Sequence, residues 1–373
     1  MGAADEDQVI RVLVVDDSAL VRRLVTTALT GDPGIEVVGV AVNGLDAIAK
    51  TDELLPDVVT LDIEMPELDG LGALRIIRER HPRQAVIMFS TLTERGARQT
   101  LEALSLGAAD YLTKPSASGG GVSEAVATVR EQLVPRIKAL AGVRLIAAAV
   151  PASRIQAPDV RGQEPVAPGH GIAARSQELA APSLGIEAVV IGCSTGGPDA
   201  LARIFADLDS DFPVPIAVVQ HMPPIFTRML AERLNKVSGL EVREAVDGDE
   251  WRPGLALLAP GDFHLKLRRG PTRVDVFLDQ SEPENFCRPA VDALFRSALS
   301  VFGGNVLACV LTGMGQDGLV GAGELACRGA TIVVQDEPSS VVWGMPGAVA
   351  EAGLAHETVP LDQIARRLVR LST

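Results

Sequence analysis

Short runs of apolar, largely β-branched residues recur along the first third of the chain, separated by longer amphipathic stretches. The runs cover residues 9–15, 35–42, 57–61, 85–90 and 111–113. Most are apolar on successive rather than alternate positions, which is how a strand buried on both faces reads. The intervening segments carry helical periodicity, so strand and helix alternate at a spacing of roughly 25 residues. This predicts a five-stranded, parallel, doubly wound α/β domain of flavodoxin-like order, ending with a helix over residues 122–140.

From residue 141 to 183 the pattern lapses. Ala, Pro, Gly, Gln and Ser dominate, and Pro151, Pro158, Pro165, Pro168 and Pro182 recur without lasting period. Such a composition predicts a flexible linker, although residues 143–150 could extend a helix or form a strand. The alternation resumes at 188–191, 216–220, 255–259, 274–278, 305–311 and 330–334. A second, mostly parallel α/β domain is expected there. The run 274–278 instead suggests an antiparallel partner of 265–267, because Arg269-Gly270-Pro271 forms a turn signal. The expected division is a first domain over 8–130, a helix end and linker over 131–183, and a second domain over 184–373.

Composition narrows the function classes. The 373 residues suffice for two domains. A net charge of −14, with no basic stripe interleaved with aromatics, would repel a phosphate backbone and argues against nucleic-acid binding. No apolar stretch reaches the ~20 residues that span a bilayer. The acidic start Met1-Gly2-Ala3-Ala4-Asp5-Glu6-Asp7 lacks the basic and apolar regions of a signal peptide. Cys193, Cys287, Cys309 and Cys327 show neither CxxC nor zinc spacing, so free thiols in a reducing cytoplasm are expected.

Candidate chemistry gathers at the ends of the predicted strands, where parallel α/β sheets bind ligands. In the first domain Asp16-Asp17 follow the first run and Asp62 ends the third. Strands one and three are neighbours in the flavodoxin-like order, so the three carboxylates converge and repel one another unless a hard cation such as Mg²⁺ neutralises them. Ser90 and Lys114 end the fourth and fifth runs, offering a hydroxyl and an ammonium to phosphoryl oxygens. Any one of these carboxylates alone would more simply be a helix cap or a solvated turn.

With these residues in Leu61-Asp62-Ile63-Glu64-Met65-Pro66 and Lys114-Pro115, the segment strongly resembles a response-regulator receiver domain. The resemblance implies that Asp62 accepts a phosphoryl group from a histidine kinase. It implies Mg²⁺ held by Asp17, Asp62 and the Glu64 carbonyl, with Asp16 acting through water, and it makes Ser90 and Tyr111 switch residues.

In the second domain Gly192-Cys193-Ser194-Thr195-Gly196-Gly197 places a serine at a strand-to-helix turn, the setting a nucleophile for acyl transfer needs. His221 ends the next run and is the favoured base, with His264 its rival; His81, His170 and His356 lack comparable placement. Asp317, in Gly313-Met314-Gly315-Gln316-Asp317-Gly318, would orient the imidazole, unless it only caps the following helix. The backbone N–H of Met314 or Gly315 is a candidate oxyanion donor. The order Ser, His, Asp disfavours the α/β-hydrolase fold, whose order is Ser, Asp, His.

Together with Ala259-Pro260-Gly261 and Cys287-Arg288-Pro289-Ala290-Val291-Asp292, these segments resemble the catalytic domain of the chemotaxis protein-glutamate methylesterases. The resemblance implies hydrolysis of glutamate methyl esters, and deamidation of glutamines, on methyl-accepting chemotaxis receptors. It implies an oxyanion pocket near Thr195 and Met314, no cofactor at the catalytic site, and a receiver that covers that site until phosphorylated. The rival readings are a phospho-switch whose second domain only binds a partner, an esterase acting on a protein outside motility, and a transcriptional regulator.

Overall fold

Strands β1 (Ile10–Val15), β2 (Ile35–Ala41), β3 (Val58–Asp62), β4 (Ala85–Ser90) and β5 (Asp110–Thr113) form one parallel sheet in the order β2-β1-β3-β4-β5. These coordinates come from a computed structural model that describes residues 9–114, 121–149 and 185–373, without the side chains of 143–149. The connecting helices are α1 (Ala19–Thr30), α2 (Gly44–Leu54), α3 (Gly70–Arg80), α4 (Glu94–Ser105) and α5 (Val122–Ala149). The first four start where a polar side chain follows a strand: Ser18, Asn43, Asp69 and Thr93 each accept a backbone N–H three residues on. Helix α5 runs past the expected end at residue 140, through Pro135 and on to Ala149. Residues 139–149 are mostly Ala, Leu, Arg, Ile and Val, with few residues that break a helix, so the chain stays helical. The remainder of the expected linker, residues 150–183, lies outside the described residues.

The second domain contains β6 (Ala188–Cys193), α6 (Gly197–Ala206), β7 (Ile216–Gln220), α7 (Phe226–Val237), β8 (Glu241–Glu244), β9 (Leu255–Leu258), β10 (His264–Arg269) and β11 (Val274–Asp279). It continues with α8 (Val291–Phe302), β12 (Val306–Val310), α9 (Leu319–Ala326), β13 (Thr331–Gln335), α10 (Met345–Glu351), β14 (Glu357–Val359) and α11 (Leu361–Ser372). Seven parallel strands are ordered β14-β13-β12-β6-β7-β9-β8, and β10 pairs with β11 as a separate antiparallel hairpin. The edge strands β8 and β14 have no counterpart among the predicted runs. Glu241-Val242-Arg243-Glu244 and Glu357-Thr358-Val359 are short and partly polar, as edges open to water allow.

Central β6 is buried along its whole length, and alternation sends its side chains into two cores. Val189, Ile191 and Cys193 pack with α6, α7 and α11 through residues such as Phe205, Leu230 and Leu368. Ala188 and Val190 pack with α8, α9 and α10 through Phe295, Leu325 and Val349. The carboxyl end of β6 is thereby held rigid between helices on both faces.

Candidate active site

Ser194 follows directly on β6. The chain turns through Gly196 at φ +79°, a left-handed conformation suited to glycine, and enters α6 at Gly197. A Cβ on Gly197 would stand 2.0 Å from Gln220 Oε1, so a side chain there would have to displace the Gln220 amide that donates to Ser194 O. Cys193 is in register with Gln220, which makes Ser194 and His221 the next residues on neighbouring strand ends. His221 N donates to Cys193 O at 3.2 Å, and Gln220 Nε2 donates to Ser194 O at 3.0 Å. Ser194 N donates to Thr312 O at 3.0 Å, tying the turn to the segment after β12.

That segment carries Asp317. Its Oδ2 lies 2.8 Å from His221 Nε2 and accepts Val291 N at 2.6 Å, while Oδ1 accepts Asp292 N at 3.1 Å and Asn285 Nδ2 at 3.0 Å. The helix that Asp317 caps is therefore α8, which precedes it in the chain. The helix that follows, α9, is preceded by Gly318 and has no side-chain cap. Burial works against ionisation of Asp317, but His221 and the two N–H groups of α8 outweigh it and hold its carboxyl below the usual range. Burial likewise pushes His221 down, yet the hydrogen bond to Asp317, with Cys287 beside it, raises its pKa to about 10. Imidazole and carboxylate thus form a buried ion pair.

With Nε2 engaged, Nδ1 is the nitrogen left to act, and its neighbour at 3.6 Å is Cys287 Sγ. Ser194, Thr195, His221, Cys287, Met314 and Gly315 line one cavity of about 930 Å³. The rival His264 is fully buried; its Nδ1 accepts Ala290 N at 3.2 Å and its Nε2 faces Glu282 O at 3.1 Å. Both nitrogens are spent holding loops together.

The carboxylates of the first domain gather at the ends of β1 and β3, where Val15 pairs with Leu61. Ligand atoms of Asp16, Asp17 and Asp62 all lie within 4.8 Å of one another. Lys114 Nζ bridges Asp16 Oδ2 at 2.9 Å and Asp62 Oδ2 at 2.7 Å. Burial raises Asp62 to a pKa of about 6; Lys114 opposes the shift and Asp16 adds to it. Ser90 and Glu64 line the same small cavity, and the Ser90 hydroxyl donates to Gly96 O at 3.2 Å. Tyr111 is elsewhere. Its ring stacks on Phe226 of α7, with centroids 4.9 Å apart, across the boundary between the two domains.

The sequence profile of CheB methylesterase matches residues 189–368, and that of the response regulator receiver domain matches residues 12–123. A protein-glutamate methylesterase/protein-glutamine glutaminase of Nocardioides sp. is 49% identical over 97% of this chain and 96% of its own length. The chain belongs to the CheB methylesterase family. A similarly named protein of Trichodesmium erythraeum is 44% identical over 96% of this chain and 98% of its own length. The Thermotoga maritima CheB methylesterase catalytic domain is 45% identical and is matched over its full length, with half of this chain covered and a TM-score of 0.49.

As a CheB-type chain, this protein is a hydrolase that carries its own receiver, and the receiver faces the serine cavity. Tyr111, Thr113 and Arg136 line that cavity together with Ser194. The Thr195 hydroxyl donates to Asp110 Oδ2 at 2.7 Å, an oxygen that Arg136 Nε also approaches at 3.1 Å. On the flank, Arg233 Nη1 donates to Leu101 O at 2.8 Å, and Arg228 pairs with Glu94. Two side chains beside the CheB-type serine were not among the sequence candidates. Asn285 bridges Asp317 and Asp292 with hydrogen bonds of 3.0 Å, and Cys287 touches His221. Both stand in an irregular loop, Asn285 at φ +51°, where no periodicity marks a function. Among the described residues, no helix is long and apolar enough to cross a membrane.

Proposed function

We propose that this chain hydrolyses glutamate γ-methyl esters on methyl-accepting chemotaxis receptors in the cytoplasm, releasing methanol, and deamidates glutamines by the same route. The observation that carries this reading is the pairing of His221 Nε2 with buried Asp317 at 2.8 Å, in a cavity that Ser194 shares from the adjoining strand end. Ser194 Oγ attacks the side-chain carbonyl carbon as His221 Nδ1 takes its proton. Backbone N–H groups near Thr195, Met314 and Gly315 stabilise the oxyanion. The C–O bond to the methoxy group then breaks, methanol leaves with the proton from His221, and water cleaves the acyl-serine by the same proton shuttle. Because Asp317 raises the pKa of His221, the imidazolium must first give up its Nδ1 proton, keeping Nε2–H on Asp317, before His221 can act as base.

Control comes from the receiver, whose Asp62 takes a phosphoryl group from a histidine kinase. Three carboxylates within 4.8 Å, with Lys114 beside two of them, suit a small hard cation. Asp16, Asp17, Asp62 and the Glu64 carbonyl would hold Mg²⁺, which when bound neutralises them and orients the phosphoryl oxygens. Phosphorylation repacks the face bearing Tyr111 and Asp110, and a bias of a few kcal/mol suffices to release it from Ser194.

The test is methanol release from methylated receptor membranes, with and without a small-molecule phosphodonor. Wild type should be stimulated by the phosphodonor, Asp62→Asn should keep only the basal rate, and Ser194→Ala should release none. Undiminished release by Ser194→Ala would sink the mechanism.

A further inference from the structure

Cys287 has no part in the ester hydrolysis above, yet its sulfur faces the imidazole nitrogen on which that hydrolysis depends. Sγ lies 3.6 Å from His221 Nδ1, and both residues line the serine cavity. Zinc binds imidazole nitrogen at about 2.0–2.1 Å and thiolate sulfur at about 2.3 Å, and a tetrahedral angle between them separates the two donors by about 3.5 Å. The spacing already present is therefore the bite of a tetrahedral metal.

The surroundings of the imidazole point the same way. A metal-bound histidine ordinarily donates its other ring N–H to a carboxylate, which fixes the ring and raises its basicity. Here Nε2 lies 2.8 Å from Asp317 Oδ2, so the nitrogen turned to Cys287 is the one that offers a lone pair to a metal once its proton is displaced. Ligand atoms of His221, Cys287 and Asp317 all fall within 4.8 Å of one another. Asp317, however, is already engaged by Val291 N, Asp292 N and Asn285, and so supports the imidazole in place of binding metal.

We propose that His221 and Cys287 form a binding site for a thiophilic divalent cation, with zinc the best match, and that filling it stops ester hydrolysis. The metal takes the Nδ1 lone pair that would accept the Ser194 proton. Binding displaces the thiol proton of Cys287 and any proton on Nδ1, forming S–Zn and N–Zn bonds without redox change, so it tightens as pH rises. Two protein ligands leave the other positions to water, which makes the site reversible and open to chelators. The inhibition rests on His221 being the base; the binding does not.

The test uses the full-length, reduced protein in excess Mg²⁺, which occupies the receiver carboxylates. Co²⁺ and Zn²⁺ are titrated with two readouts: the sulfur-to-cobalt charge-transfer absorption and methanol release relative to each variant's metal-free rate. One equivalent of Co²⁺ should give the band in wild type, Cys327→Ser and Ser194→Ala, and no band in Cys287→Ser. Zinc should inhibit wild type and Cys327→Ser, with chelator restoring the rate, and Cys287→Ser should need at least tenfold more metal. A band that survives in Cys287→Ser, or inhibition of that variant at the wild-type concentration, overturns the site. Cys287-dependent binding with methanol release unimpaired overturns the inhibition. A chain that releases no methanol under any condition but shows the Cys287-dependent band contradicts the esterase reading and upholds the metal site.

Discussion

Replacing Asp317 by asparagine separates two tasks that one carboxylate performs. Asp317 accepts from Val291 N and Asp292 N at the start of α8 and pairs with His221, and it is 2% exposed. The amide keeps the shape but loses the charge, so the His221 pair is broken inside the protein; losing one partner of a buried pair costs about 3–5 kcal/mol. One amide oxygen can still serve an α8 N–H, which places the expected loss near the lower end, about 3 kcal/mol. The pH dependence has a definite sign. The carboxyl is lowered and the imidazole raised on folding, so the pair contributes most between their unfolded pKa values, about 4 and 6.5. Its contribution fades as pH falls through the folded value of Asp317 and as pH rises toward about 10. Urea denaturation of wild type and Asp317→Asn should therefore differ most near pH 5–6 and converge at both extremes. Turnover should fall by about 10³–10⁴-fold, because the amide no longer holds the working tautomer or offsets the imidazolium. The acid limb of the pH–rate profile should move down toward the ordinary histidine value. A variant with normal turnover, or an acid limb that stays in place, would refute the orienting role.

Two further outcomes follow from the receiver. Asp62 is raised from 3.8 to about 6, so its ionisation opposes folding and stability should drop as pH climbs through that interval, by about 3 kcal/mol at neutral pH. Without metal, Asp62→Asn should melt above wild type at pH 7.5 and equal it below pH 4; a lower melting temperature at pH 7.5 would contradict the assignment of burial as the dominant cause. Tyr111→Ala removes the stack on Phe226, worth about 0.5–1.5 kcal/mol beyond area, and should raise unphosphorylated methanol release roughly 2–13-fold. An unchanged basal rate would show that this contact does not hold the receiver in place.

The α/β class of both domains is legible in the residues alone, because runs such as Val189-Val190-Ile191, apolar at successive positions, suit a parallel sheet covered by helices on both faces. The sequence also places Asp16, Asp62, Ser90, Ser194 and His221 at strand ends, since each directly follows or closes an apolar run. Edge strands β8 and β14 left no such trace, being short and partly polar. Only the folded chain shows that Asp317 caps α8, that His264 is spent on Ala290 and Glu282, and that Tyr111 meets Phe226. It alone brought Cys287 and Asn285 to the imidazole and its carboxylate. Periodicity records how a segment buries its own faces. Which side chains meet across 66 residues, as Cys287 and His221 do, depends on strand order and on loops whose course no local pattern encodes.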